Sequence, residues 1–259
     1  MANYPISDDA ENIKQTLAQY WDGRSATFDT QPQHVSQSDE ETAAWTDILG
    51  KLTLGRKGLS ALDVGTGTGF LAFLLAEMGH QVVGIDIATG MLKKAREKAG
   101  HRGADSRAPR GESPDRPDGQ AIAFQEMDAE RTSFPDETFD VVVSRHLIWN
   151  LPHPEAAIEE WARVTRPGGV VGVINGILSS RGVRWEEPYR SAFERLPLVE
   201  GVAPEAVVAM MEKKGLTHIR VEWLNALAAI KGRTVPAQLG YAPNRRYLVI
   251  GTKPLLALT

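Results

Sequence analysis

Three glycines on alternate positions, Gly65, Gly67 and Gly69, are the strongest constraint on what this chain can fold into. They follow the short run Leu59-Ser60-Ala61-Leu62-Asp63-Val64 and precede the apolar segment Phe70-Leu71-Ala72-Phe73-Leu74-Leu75-Ala76. A run too short for a helix, a turn without side-chain bulk and a longer apolar segment read as a buried strand, a tight turn and a helix. Glycine, lacking a Cβ, adopts left-handed backbone and lets main chain come within contact distance of a ligand. A tight turn with no ligand is the plain alternative, and the rest of the chain must decide between them.

The rhythm continues. Gln81–Asp86 predicts a second strand ending on a carboxylate, and Thr89–Ala99 an amphipathic helix. Ala121–Met127 leads to Asp128-Ala129-Glu130, and Phe139–Ser144 is a fourth strand running into Arg145-His146-Leu147. A helix over Pro154–Thr165, a turn at Pro167-Gly168-Gly169 and a fifth strand at Val170–Ile174 follow. Strands and helices alternating at this length imply a parallel sheet wound with helices. Pro204–Lys214 reads as a further helix, and Thr217–Leu224 and Arg246–Thr252 as the last strands, with little helix between them and the final one antiparallel at the end of the sheet. Ahead of the first strand, Ile13, Leu17, Tyr20 and Trp21 share a helical spacing, and a second helix is expected over Asp39–Leu52. We therefore expect an N-terminal helical cap over residues 1–55 and an α/β core over 56–259. The core carries a polar insertion at 101–119, with three prolines, three glycines and mixed charge, and an irregular lid over the substrate at 175–202.

Composition removes several function classes. The chain has no cysteine, which excludes disulfides, thiolate metal sites and thiol nucleophiles. A net charge of −4 argues against a protein that grips nucleic acid through its overall field, and the insertion at 101–119 lacks aromatics for base stacking. No apolar run approaches the roughly 20 residues of a membrane span. The N-terminus lacks the basic and apolar regions of a secretory signal, so a cytoplasmic protein is the expectation.

Open parallel sheets bind ligands beyond the carboxyl ends of their strands. The glycine turn, Asp86 and Asp128 all fall there. An acid ending the second strand suits a ribose diol, whose two hydroxyls one carboxylate accepts. The glycine spacing departs from the dinucleotide fingerprint, and Asp63 just before the turn would repel a pyrophosphate. A cationic ligand, an ammonium beside a sulfonium, fits better.

Taken together, Leu62-Asp63-Val64-Gly65-Thr66-Gly67-Thr68-Gly69, Gly84-Ile85-Asp86-Ile87-Ala88-Thr89-Gly90-Met91-Leu92, Asp128-Ala129, Phe139-Asp140-Val141-Val142 and Arg166-Pro167-Gly168-Gly169 resemble the successive motifs of class I S-adenosylmethionine-dependent methyltransferases. Within that class they are similar to the small-molecule branch that includes the ubiquinone and menaquinone C-methyltransferases. The resemblance covers about Leu59 to Ile174. It implies a Rossmann-like fold with a mainly parallel seven-stranded sheet and an antiparallel last strand. It also implies S-adenosylmethionine as methyl donor and S-adenosylhomocysteine as product. Gly65, Thr66, Gly67 and Gly69 would then pass beneath the methionyl part with Asp63 near its ammonium, and Asp86 would take the ribose hydroxyls. Ile87 and Met91 would pack on adenine, Asp128 and Ala129 would face its polar edge, and Ser144 and Arg145 would line the methyl-donor side.

His146, just past the fourth strand, is the best-placed base by sequence, ahead of His34 and His153; a histidine simply hydrogen-bonded in the loop is the alternative. Tyr20, Trp21, Phe28, Trp149, Trp185, Tyr189 and Phe193 are candidates for an aromatic acceptor pocket, with ordinary packing as the other reading. No metal site is expected. The expected function is methyl transfer to a small molecule by in-line displacement. A non-catalytic S-adenosylmethionine-binding protein and an RNA or protein methyltransferase stay open, as does the oligomeric state, a dimer included.

Overall fold

The computed structural model describes residues 8–31, 34–36, 38–103, 121–176, 187–199, 201–234 and 245–255. The expected insertion at 101–119 falls outside these residues from 104 on, and so do residues 177–186 and 200 of the expected lid at 175–202, Trp185 among them.

Seven strands form one sheet in the order β3-β2-β1-β4-β5-β7-β6. They are β1 Ser60–Val64, β2 Gln81–Asp86, β3 Ile122–Glu126, β4 Phe139–Arg145, β5 Thr165–Gly176, β6 Thr217–Trp223 and β7 Arg246–Thr252. β1 to β5 pair in parallel, while β7 runs antiparallel to both β5 and β6. The last strand is antiparallel as expected, but it does not lie at the end of the sheet. It is inserted between β5 and β6, and β6 forms the edge. Nor are the last two strands joined with little helix between them. Asn225–Thr234 is helical, and its apolar residues Leu227 and Ile230 are buried.

The helices are α1 Asp8–Arg24, α2 Asp39–Thr53, α3 Phe70–Glu77, α4 Thr89–Gly103, α5 Pro154–Val164, α6 Tyr189–Phe193, α7 Pro204–Lys213 and α8 Asn225–Thr234. Because strand side chains alternate between faces, the sheet supports two cores. Leu62, Val64, Val142, Val171, Val173, Tyr247 and Val249 face one cluster, shared with α1, α5, α6 and α7. Ala61, Val82, Val141, Val143, Val170, Leu248 and Ile250 face the other, shared with α2, α3, α4 and α8.

The two N-terminal helices play different parts. Ser38 caps α2 by accepting from the Glu41 N–H at 3.2 Å. Trp45, Leu49 and Leu52 on α2 are fully buried on the sheet face. α1 instead reaches α4 and α6 near the carboxyl ends of the strands.

Gly172 in β5 is what lets α2 lie so close. A Cβ there would collide with the side chain of Leu52. Gly172→Ala is therefore expected to cost about 1–3 kcal/mol by overpacking, and Leu52→Ala about 2–5 kcal/mol by leaving a cavity. The double variant should be more stable than the sum of the two predicts, since each change relieves the other. Urea unfolding of the four proteins measures this, and strict additivity would refute the close approach.

Candidate active site

The site is built where β1 turns into α3. Gly65, Gly67 and Gly69 have φ of +69°, +55° and +89°, left-handed values that side chains with a Cβ rarely adopt. The N–H groups of Gly65 and Thr66 both donate to the Ile85 carbonyl at 2.9 Å, which moors the turn to β2. Gly65 and Gly69 are crowded, by Leu147 and by Phe73 with Phe124, whereas a Cβ on Gly67 would meet nothing within 4 Å. The middle of the turn thus faces open space.

One acid holds this turn directly, and two more stand at the same strand edge. Asp86, at the end of β2, accepts from the Gly67 N–H at 2.8 Å and the Ala88 N–H at 2.9 Å. Burial raises its pKa, opposed by these backbone donors. Two accepted bonds leave a carboxylate with capacity for two more. Asp63 is almost wholly buried, and one of its oxygens accepts from Thr66 Oγ1 at 2.7 Å and the Ala72 N–H at 3.1 Å. Burial is the main cause that pushes its pKa up to about 6. Asp128, beyond β3, accepts from the Glu130 N–H at 2.8 Å and receives Lys14 of α1 at 2.7 Å. Ile87 is half-buried, and Met91 and Ala129 are buried beside these acids.

The cap is latched onto this surface by polar contacts that sequence reasoning did not find. Asp22 of α1 accepts from the Gly90 N–H at 2.6 Å, at the start of α4. Asp29 accepts from Thr68 Oγ1 at 2.6 Å, within the glycine turn, and from Lys98 Nζ at 2.9 Å. Lys14 also reaches Glu130 at 2.6 Å; its burial disfavours the ammonium, but the hydrogen bonds to Asp128 and Glu130 outweigh that and raise its pKa.

The other half of the strand edge is basic. Arg145 ends β4, donates to the His34 carbonyl at 3.0 Å and lies over the Phe70 ring at 4.2 Å and the Trp45 ring at 5.3 Å. Burial, then Arg246, lowers its pKa to about 9, so it stays cationic at neutral pH. His146 follows with φ +57°, and its N–H joins the ladder at the Ile174 carbonyl, 2.9 Å away. Its Nδ1 lies 3.2 Å from Asn175 Oδ1. With the Asn175 amide oxygen as the acceptor, Nδ1 carries the proton and Nε2 keeps a lone pair, so the tautomer follows the orientation assigned to that amide. Burial, then Arg246 and Arg145, hold the ring neutral, with a pKa well below the usual histidine range. His34 is held neutral too, at about 4, mainly by burial. Ser144 is buried and its hydroxyl has no hydrogen-bond partner. His153 is turned away to Glu130, which accepts from its N–H at 2.6 Å and meets its Nδ1 at 3.1 Å.

The structure gathers the described ones among the predicted aromatics into one cluster between the cap and the core. Tyr20 stacks on Tyr189 with centroids 3.8 Å apart, and Trp21 meets Phe28 at 6.1 Å and Tyr189 at 6.2 Å edge-on. Phe193 links Tyr189 at 5.8 Å to Trp149 at 5.5 Å. Tyr189 donates to Asn150 Oδ1 at 3.1 Å, while the Trp149 indole N–H is buried without a partner. Among the described residues there is no group of three or more side chains able to hold a metal, and no helix is long and apolar enough to cross a membrane.

A mainly parallel sheet with a glycine turn and three acids at its carboxyl edge defines a nucleoside-binding α/β protein, and comparison with known proteins narrows the class. Residues 62–173 match the family described as "Methyltransferase domain". The chain is 38% identical over 158 residues to a phosphatidylethanolamine N-methyltransferase of Cereibacter sphaeroides, covering 57% of this chain and 70% of that one. It is 34% identical over 209 residues to a demethylmenaquinone methyltransferase of Thermus thermophilus, covering 72% and 87%. Among solved structures, the [4+2]-cyclase SpnF superposes with a TM-score of 0.65 at 22% identity, covering 94% and 97%; at that identity the likeness concerns the fold. The chain belongs to the S-adenosylmethionine-dependent methyltransferase family.

The raised Asp63 pKa has a consequence for stability. The folded protein holds this proton more tightly than the unfolded chain does, so stability falls as pH rises from about 4 through about 6. Asp63→Asn keeps an oxygen for Thr66 and Ala72 but has no proton to lose. Urea unfolding from pH 4 to pH 7 should show a shallower decline for Asp63→Asn than for the parent. Parallel curves would mean that Asp63 is not the group responsible.

Proposed function

We propose that this protein transfers a methyl group from S-adenosylmethionine to a small-molecule acceptor by in-line displacement and releases S-adenosylhomocysteine. The observation that carries this is the open side of Gly67, whose N–H is held by the Asp86 carboxylate, with Asp63 and Asp128 at the ends of the neighbouring strands. Bare backbone suits the close approach of the methionyl chain, and acids suit its ammonium and the ribose hydroxyls. Gly65, Thr66, Gly67 and Gly69 would hold the methionyl part with Asp63, and Asp86 the ribose. Ile87, Met91, Asp128 and Ala129 would hold adenine, with Ser144 and Arg145 toward the methyl. The bound donor supplies an already activated methyl group.

The chain's own residues have a limited task. They align the acceptor, exclude water and take up a proton where the acceptor atom carries one. His146 is the candidate base for that last step, and the burial and neighbouring arginines that hold it neutral oppose its taking up the proton. The cluster of Tyr20, Trp21, Phe28, Trp149 and Tyr189 would wall the acceptor. Acceptors named for the relatives, a phosphatidylethanolamine and a demethylmenaquinone, support a small-molecule or lipid-like substrate over nucleic acid.

Calorimetric titration with S-adenosylmethionine, S-adenosylhomocysteine and NADH as control tests the reading. The first two should bind and the third should not. Asp86→Ala should weaken S-adenosylhomocysteine at least about tenfold, the loss expected for hydrogen bonds to a charged group, while the thermal transition stays cooperative. An unchanged dissociation constant would refute the ribose assignment. Absence of binding by either adenosyl compound to folded protein would refute the function.

A further inference from the structure

The loop after β3 is fixed by its main chain before any side chain is considered. The Met127 N–H donates to the Asp86 carbonyl at 3.0 Å, and the Trp161 indole N–H donates to the Ala129 carbonyl at 2.9 Å. Between these two anchors, Asp128 Oδ1 accepts from the Glu130 N–H at 2.8 Å. An aspartate at a strand end, with its side chain 31% exposed, ordinarily gives its other oxygen to water. Here that oxygen belongs to the cap.

Lys14 of α1 reaches it. Its Nζ lies 2.7 Å from Asp128 Oδ2 and 2.6 Å from Glu130 Oε2, and its side chain is only 9% exposed. Glu130 is anchored in turn, since its Oε1 accepts from the His153 N–H at 2.6 Å. Ile13 and Leu17, beside Lys14 on α1, are buried in the core. Burying an ammonium is costly, and only close partners offset that cost. A lysine held this way keeps one geometry, which a solvated surface pair does not.

The spacing along α1 extends the contact. Lys14, Ala18 and Asp22 fall four residues apart and so share one helix face. Eight residues of helix span about 12 Å. At one end of that span Lys14 meets the loop after β3, and at the other Asp22 accepts from the Gly90 N–H at the start of α4. The same face therefore touches both segments assigned to adenine, Asp128 with Ala129 and the stretch leading to Met91.

A carboxylate has about four acceptor sites, and the Glu130 N–H and Lys14 occupy two of them. Capacity remains for an amino group of the ligand. With one oxygen on a main-chain donor and the other on a buried ammonium, the plane of the carboxylate is set. An acceptor fixed in this way distinguishes a ligand donor from a ligand acceptor, because the wrong partner leaves a desolvated polar group unpaired.

We propose that Lys14 is a positioning residue for base recognition, holding the Asp128 carboxylate so that the site selects a purine with a 6-amino group over one with a 6-oxo group. This rests on the reading of Asp128 as the partner of adenine. Lys14 touches no reacting atom and acts through Asp128.

The test is calorimetry on the full chain with S-adenosylhomocysteine and with S-inosylhomocysteine, whose base carries a 6-oxo group. The parent should prefer the adenosyl compound about tenfold or more, the difference expected when a charged acceptor faces a carbonyl in place of a donor. Lys14→Met should weaken the adenosyl compound about tenfold and bring the preference below about threefold, while Lys14→Arg retains most of it. If the lysine merely anchored α1, its loss would weaken both compounds equally and leave the preference unchanged. Lys14→Met also leaves Asp128 and Glu130 without their shared cation. The double variant Lys14→Met/Glu130→Gln restores the parent's net charge among these three side chains and should show the same lost preference, which keeps the test decisive if the single variant fails to fold. Full preference retained in a folded Met variant overturns the inference. A parent that binds both compounds equally also overturns it, by removing Asp128 from base recognition, while the methyltransferase function survives. No binding of S-adenosylhomocysteine at all overturns the inference and that function together.

Discussion

The N–H of Gly67 donates to the carboxylate of Asp86 across 2.8 Å, and the rest of the site depends on that bond. It joins the turn after β1 to the end of β2, and the Gly65 and Thr66 N–H groups complete the mooring at the Ile85 carbonyl. Three successive left-handed glycines leave the turn few conformations that an ordinary residue could imitate. Without a fixed partner, their conformational freedom would make this the loosest part of the edge. With one, the turn is held open at Gly67, and α3 starts in a fixed direction behind it.

Charge then organises what the backbone has positioned. Acids at the ends of β1, β2 and β3 and bases at the ends of β4 and β7 are each expensive to desolvate. The cap reduces this cost on the acidic side by supplying Lys14 to Asp128 and Glu130, and on the basic side by turning carbonyls toward Arg145 and Lys231.

The parts legible in sequence were those fixed by local pattern. β2 and β7 begin and end where their apolar runs do, since buried strands of β-branched residues are bounded by glycine and polar residues. The glycine turn was legible because its residue type has one structural use. Helix α8 was not: Asn225-Ala226-Leu227-Ala228-Ala229-Ile230 carries no strong period, and its helix is selected by packing against α2, with Leu227 and Ile230 buried. The position of β7 between β5 and β6 is a matter of pairing across the chain, which no local pattern encodes. Arg246 was hidden for that reason, because its place at the edge follows only once β7 is known to run antiparallel beside β5. Asp22 and Asp29 escaped notice because carboxylates near a helix end usually face solvent. Here Asp22 caps α4 and Asp29 holds the side chains of Thr68 and Lys98.

The two helices before the first strand are anchored by burial and differ in what they add to it. α2 lies on the sheet through Trp45, Leu49 and Leu52, each contributing about 1.5–3 kcal/mol. α1 buries Ala10, Ile13 and Leu17, the last two in the cluster on the opposite side of the sheet. It adds polar contacts at the strand edge: Asp22 to the Gly90 N–H at the start of α4, and Lys14 to Asp128 and Glu130. The Lys14 pairs are buried, so removing either partner would leave an uncompensated charge. Apolar burial therefore holds both helices, and the polar residues of α1 fix where it sits against the end of β3 and the start of α4.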